Sequence, residues 1–183
     1  MGSEVIIAMT LITTNPDSTD VATVSFTSGI DSTYKLYIFK FIDLNPATNN
    51  VDFTFQGSID GGSNYGVTET TTTFRAFHYE SDSSTSLGYT DDDQAQGTAY
   101  QIISSGVGNG ADESCAGDLF LFNPSNATYV KHWYGTSNTY VANDRTQVLY
   151  SAGYFNTTSA INAISFKMSS GNMDGVIKMY GVG

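Results

Sequence analysis

The chain holds one cysteine, Cys115, so no disulfide can close within it. That residue sits among Asp112, Glu113 and Asp118, a setting that disfavours a thiolate, and it reads as an inert small residue. Two histidines, His78 and His132, and this single thiol are too few nitrogen and sulfur ligands for a structural zinc, so no metal site is expected. Positive charge is scarce as well: 7 Lys and Arg stand against 18 Asp and Glu, a formal net charge of −11. Nucleic-acid binding rests on clustered Lys and Arg, and an anionic membrane would repel the chain in the same way, so neither is an expected partner. The acidity itself reads as solubility. No apolar run approaches the ~20 residues of a membrane helix. Val5 to Ile12 is apolar but short, and Glu4 precedes it where a secretory leader would carry Lys or Arg. The expectation is synthesis in the cytoplasm.

What the chain has in quantity is 18 Gly, 12 Tyr and 11 Phe in 183 residues, with only 3 Pro. Aromatics favour strands, and glycines favour the turns between them. The length suits one domain, residues 1–183, with 1–15 as an N-terminal arm or first strand. Period-two alternation recurs throughout. Ala22, Val24 and Phe26 alternate with Thr and Ser, and Val51, Phe53 and Phe55 with Asp, Thr and Gln. Ile164, Phe166 and Met168 share one face of the first arm of an expected C-terminal hairpin. In its second arm Ile177 and Met179 point one way, and Val176, Lys178 and Tyr180 the other. Glu80 to Gly97, Gly106 to Gly117 and Gly135 to Thr146 are polar and read as loops. The pattern predicts an all-β fold: an antiparallel, jelly-roll-like β-sandwich of about eight to ten strands without a long helix.

Tyr34 to Ile42 is the most apolar run. Leu36, Ile38 and Ile42 mark one face, and Tyr37, Phe39 and Phe41 the other. Either this is a central strand with one face in the core and the other beneath a loop, or the aromatic face meets another subunit. On the second reading Val5, Ile6, Ile7, Tyr37, Phe39 and Phe41 are the candidate subunit-interface residues. No constellation carries chemistry. The nucleophile-elbow pattern Gly-x-Ser-x-Gly is absent. Gly106-Val107-Gly108-Asn109-Gly110 lacks phosphate-loop spacing and is followed by Asp112 and Glu113. Asp91-Asp92-Asp93 and Asp60 to Asn64 lack the calcium-loop pattern. No catalytic residue and no cofactor are predicted.

Certain short motifs resemble a known group. Gly57-Ser58-Ile59-Asp60-Gly61-Gly62-Ser63-Asn64-Tyr65 looks like the strand-end loop of virion structural proteins of tailed phages, notably marine ones. Asp112-Glu113-Ser114, Phe122-Asn123-Pro124-Ser125, Lys131-His132, Gly153-Tyr154, Ser159-Ala160-Ile161 and Ser170-Gly171-Asn172 are similar to the same group. So is the ending Ile177-Lys178-Met179-Tyr180-Gly181, with the departure that Val176 directly follows Gly175. The resemblance spans nearly the whole chain and consists of structural motifs, with no active-site signature. It implies a jelly-roll-like virion protein that decorates or cements the capsid, associates with itself, as a homotrimer, and contacts the major capsid protein. The alternative it implies is a tail- or head-fibre module that binds a host-surface glycan. Tyr65, Tyr89, Trp133 and Tyr140, with Tyr79 and Tyr134, would then be the aromatic candidates.

Overall fold

A computed structural model describes residues 8–15 and 18–183, and these contain fourteen strands and no helix. In chain order they are β1 (Met9–Thr14), β2 (Ser18–Val21), β3 (Val24–Phe26), β4 (Leu36–Pro46), β5 (Val51–Ser58), β6 (Glu69–Tyr79) and β7 (Thr85–Tyr89). They continue as β8 (Ala95–Gly97), β9 (Gln101–Val107), β10 (Cys115–Phe122), β11 (Lys131–Val141), β12 (Arg145–Phe155), β13 (Ala163–Met168) and β14 (Met173–Val182). Every pairing is antiparallel, within one continuous sheet that curls into two layers. The larger layer runs β1-β14-β4-β10-β11-β12-β6-β7, with β2 on β14 and β8 on β6. The smaller runs β9-β5-β13-β3. The layers join where Val141 of β11 pairs with Val107 of β9. The result is the expected jelly-roll-like sandwich, with more strands than expected.

The core is aromatic at one end. Phe39 and Phe41 of β4 reach across to Phe166 of β13, each with ring centroids 5.3 Å apart. Phe26, Phe53 and Phe55 complete a shell around the Phe166 ring. The edge-on packing of Phe41 on Phe53, at 5.0 Å and 77°, is the geometry that ring quadrupoles favour.

Four expectations are corrected. Tyr37, Phe39 and Phe41 are not an outward interface: they are 0%, 0% and 4% exposed and form this core. The reason is the second layer, which covers the aromatic side of β4 and leaves Leu36 and Ile42 on the open side. The C-terminal arms do not form a hairpin. β13 pairs with β5 and β3, whereas β14 pairs with β4, β1 and β2, so the turn between them crosses from one layer to the other. The apolar face of both arms is as expected, with Ile164, Phe166, Met168, Ile177 and Met179 all buried, but Ser165, on the face read as wet, is buried as well. Stretches read as loops contain β7, β8, the second half of β11 and the start of β12. Trp133 is 2% exposed, and its ring packs edge-on against Phe55 at 4.8 Å. Val5, Ile6 and Ile7 lie outside the described residues.

The departure at Gly175-Val176 has a local cause. Gly175 sits in a register shift of β14 at φ +122, and a Cβ there would stand 2.6 Å from the Asp43 carbonyl. Only glycine accepts that combination without strain.

Candidate functional site

Across β11, β12 and β6 the usual polarity of a sandwich is reversed at many positions. Beside the apolar Trp133, Val141, Leu149 and Phe155, the inward positions include Ser137 and Thr139 on β11, Gln147 and Ser151 on β12, and Glu69, Thr71 and Thr73 on β6, all buried. They are held by hydrogen bonds. The Ser137 hydroxyl donates to the Ile103 carbonyl at 2.6 Å, and the Gln147 amide donates to Ser105 Oγ at 2.8 Å. The Thr71 hydroxyl donates to Gln101 Oε1 at 2.8 Å, and Thr73 shares a bond with Thr90. A buried polar group needs such a partner to avoid its desolvation cost. The outward positions of the same strands include Tyr134, Val148, Tyr150, Ala152, Tyr154, Phe74 and Ala76, which cross-strand register sets side by side among Thr70, Thr72, Thr136, Asn138 and Thr146.

The apolar outer face continues over the rest of the larger layer. β10 adds Phe120 and Phe122, β4 adds Leu36, Ile38 and Ile42, and β14 adds Val176, Tyr180 and Val182. β1 and β7 supply Met9, Leu11, Leu87 and Tyr89 at its two edges. Of the eleven exposed large apolar side chains among the described residues, nine stand here: Met9, Leu11, Ile42, Phe74, Leu87, Tyr89, Phe122, Tyr134 and Tyr150. The other two are Ile59 and Tyr129. Charge on this face is confined to Lys40, Lys178 and Asp118, which lie in one row across three strands. Lys40 Nζ meets the Asp118 carboxylate at 2.7 Å.

Ring geometry defines what this face presents. Phe120 stacks on its cross-strand neighbour Tyr134 at 4.7 Å and 18°, and Phe74 on Tyr150 at 4.9 Å and 12°. Side chains stand upright from a sheet, so rings stacked between strands turn their edges outward and spend their faces on each other. Beside Tyr134 the next strand carries Ala152, and the missing bulk leaves a hollow of about 420 Å³ bordered by Thr72, Phe122, His132, Tyr134 and Tyr154. A second hollow, of about 570 Å³, adjoins it at Phe122 and His132 and reaches the exposed Tyr129.

The remaining aromatic candidates do not converge. Tyr65 lines a hollow with Asp60 and Asn64, and Tyr140 a different one with His78, Tyr79 and Glu80. Tyr89 stands on the outer face and donates its hydroxyl to Asp93, a bond that pushes the phenol pKa up. Trp133, in the core, is not available to a ligand: it is corrected from a candidate platform to a packing residue. Phe74, Phe120 and Tyr150 escaped selection by sequence, because their alternation signals a strand without telling which side the second layer will cover.

Reactive groups are quenched or self-satisfied. Burial pushes the Cys115 thiol up to about 12. The glycine-rich loop is capped by its own carboxylate, Glu113 Oε2 accepting the Gly110 N–H at 2.5 Å. Asp60 accepts from the backbone and side-chain amides of Asn64 and from the Ser58 hydroxyl, and these bonds hold its carboxyl down to about 2. His78 pairs with Asp82 at 2.9 Å, and His132 lies edge-on to Tyr154, both in exposed positions. Among the described residues no group of three or more His, Cys, Asp or Glu is placed to hold a metal ion. Comparison of the chain with protein-family models, with curated proteins and with solved structures gives no match.

Proposed function

We propose that this chain is a non-enzymatic structural protein of a phage virion, a jelly-roll subunit that decorates or cements the capsid surface. One observation carries the reading: the outer face of the larger layer sets Phe74, Phe120, Phe122, Tyr134 and Tyr150 side by side in the open, while Ser137, Thr139, Gln147, Ser151, Thr71 and Thr73 are buried beneath it. A soluble monomer gains nothing from that arrangement. Exposed apolar patches of this extent mark contact surfaces, and aromatic enrichment with few charges is the composition of an interface centre. The short motifs from Gly57 to Gly181 that resemble tailed-phage virion proteins supply the setting, the homotrimer and the major capsid protein as neighbour. Repetition over a capsid lattice turns weak individual contacts into firm retention.

The test is location. Immunogold labelling of intact particles with an antibody to this chain is expected to decorate heads, and purified protein is expected to rebind heads stripped of it. Label confined to tails or fibres, with no rebinding, removes the capsid reading.

The hollow beside Ala152 favours a second reading, a fibre module for a host-surface glycan, since one face of Tyr134 is free there. Glycan-array binding that Tyr134→Ala abolishes, without loss of fold, would select this reading. The outward ring edges of the stacked pairs weigh against it, because a sugar packs on ring faces.

A further inference from the structure

We infer that the covering partner of the outer aromatic face is a second copy of this chain, seated on the row that carries Lys178. The inference rests on the reading of a self-assembling virion subunit and names the surface through which it assembles.

Three observations select a copy over an unrelated partner. The first is charge. Two copies at −11 each repel over most of their surfaces. The outer face carries Lys40, Lys178 and Asp118, a net of +1, so it is the side on which identical molecules can approach. The second is complementarity. Lys178 stands directly opposite Lys40, and Lys40 is already engaged by Asp118. Like charges side by side on a sheet are unfavourable, and Lys178 has no ion-pair partner among the described residues. The ends of this same face are bordered by Asp20, Asp43 and Asp174, all exposed, so a copy set across the first brings a carboxylate to Lys178. The third is area. Eight adjacent strands at about 4.8 Å spacing, each offering about 20 Å of length, make a face of roughly 700 Å². A standard-size association buries about 800 Å² on each partner, with a spread of about 200 Å², so this one face falls within that range.

The stacked pairs fit such a contact. Phe120–Tyr134 and Phe74–Tyr150 are upright ridges, and a smaller hollow of about 170 Å³, lined by Phe74, Tyr134, Tyr150 and Ala152, lies between them. A second sheet laid across the first at the usual angle of about −30° sets its ridges into such grooves.

The test is the mass of the full chain in solution, by light scattering coupled to gel filtration. The wild type is expected at twice the 19.7 kDa chain mass or a higher multiple. Tyr134→Glu and Leu87→Glu, both at exposed positions, are expected to elute at the single-chain mass with an unchanged circular dichroism spectrum. Lys178→Glu is expected to weaken association at least tenfold, and Lys178→Arg to retain it. Ile59→Glu, exposed but off this face, is expected to change nothing. A wild type that stays at single-chain mass at high micromolar concentration overturns the self-contact. If such a monomer still rebinds stripped heads, the virion reading stands and another virion protein covers the face. An oligomer that persists in Tyr134→Glu and Leu87→Glu overturns the choice of surface.

Discussion

Glu69 is a carboxylic acid with no exposure to water, on the inward side of β6. Its Oε2 accepts the indole N–H of Trp133 at 3.0 Å. Burial pushes its pKa well above the usual carboxylate range, and the indole bond offsets this only in part. The folded state therefore holds a proton that the unfolded chain releases near pH 4.3. The linkage follows in sign: below the unfolded pKa Glu69 costs nothing, and the cost grows as pH rises towards the folded value. Glu69→Gln keeps an acceptor for the indole and removes the ionisation. It is expected to stabilise the fold at pH 7 by about 1–3 kcal/mol, the scale of a poorly satisfied buried polar group, and to match the wild type near pH 4. Urea unfolding at the two pH values, followed by the fluorescence of the single tryptophan, reads both. A variant less stable at pH 7 than the wild type would contradict the account.

At the scale of elements, β13 shows why some of this architecture was open to sequence reading. Its alternation of Ile164, Phe166 and Met168 against Ser165 and Lys167 was enough to assign the buried face. Phe166 is the ring that the core packs around, touching Phe26, Phe39, Phe41, Phe53 and Phe55 at centroid distances from 5.3 to 6.2 Å. Phe166→Ala should cost about 3–5 kcal/mol, because five flanking rings on two layers cannot all relax into the space. An unfolding free energy in urea lowered by less than about 1 kcal/mol would mean the rings do close up. β11 shows the opposite case. From Gly135 to Val141 its inward residues are Gly135, Ser137, Thr139 and Val141, only the last of them greasy, so the alternation is lost and the stretch reads as a loop. Its strand character comes from partners distant in sequence, such as Ser104 and Ile103, which satisfy those hydroxyls. The outer face was hidden for the same reason. Alternation separates two sides of β4 or β12, but which side meets water depends on where the other layer lies. For β4 the aromatic side is the core side because Phe166 of β13 packs on Phe39, a contact that no local pattern in β4 encodes.

On the scale of the molecule, the charge is unevenly placed. Removing the +1 of the outer face from the total of −11 leaves −12 on the remaining surface and loops. Two effects then compete when copies meet. A surface ion pair between Lys178 and a neighbouring carboxylate contributes about 0–1 kcal/mol and weakens with salt. The mutual repulsion of two strongly acidic bodies acts over the Debye length, about 30 Å at 0.01 M ionic strength and about 8 Å at 0.15 M. The second involves many charges and the first one pair, so repulsion sets the sign. Association of the wild type is therefore expected to tighten as sodium chloride is raised from about 0.01 M to 0.15 M, the concentrations at which those screening lengths hold. Apolar contact, which salt does not screen, then acts with less opposition. Sedimentation velocity at the two concentrations checks this. Lys178→Glu adds charge of the repelling sign and should show the steeper salt dependence of the two proteins. Association that weakens steadily with salt in the wild type would mean that ion pairs, and not the aromatic ridges, hold the copies together.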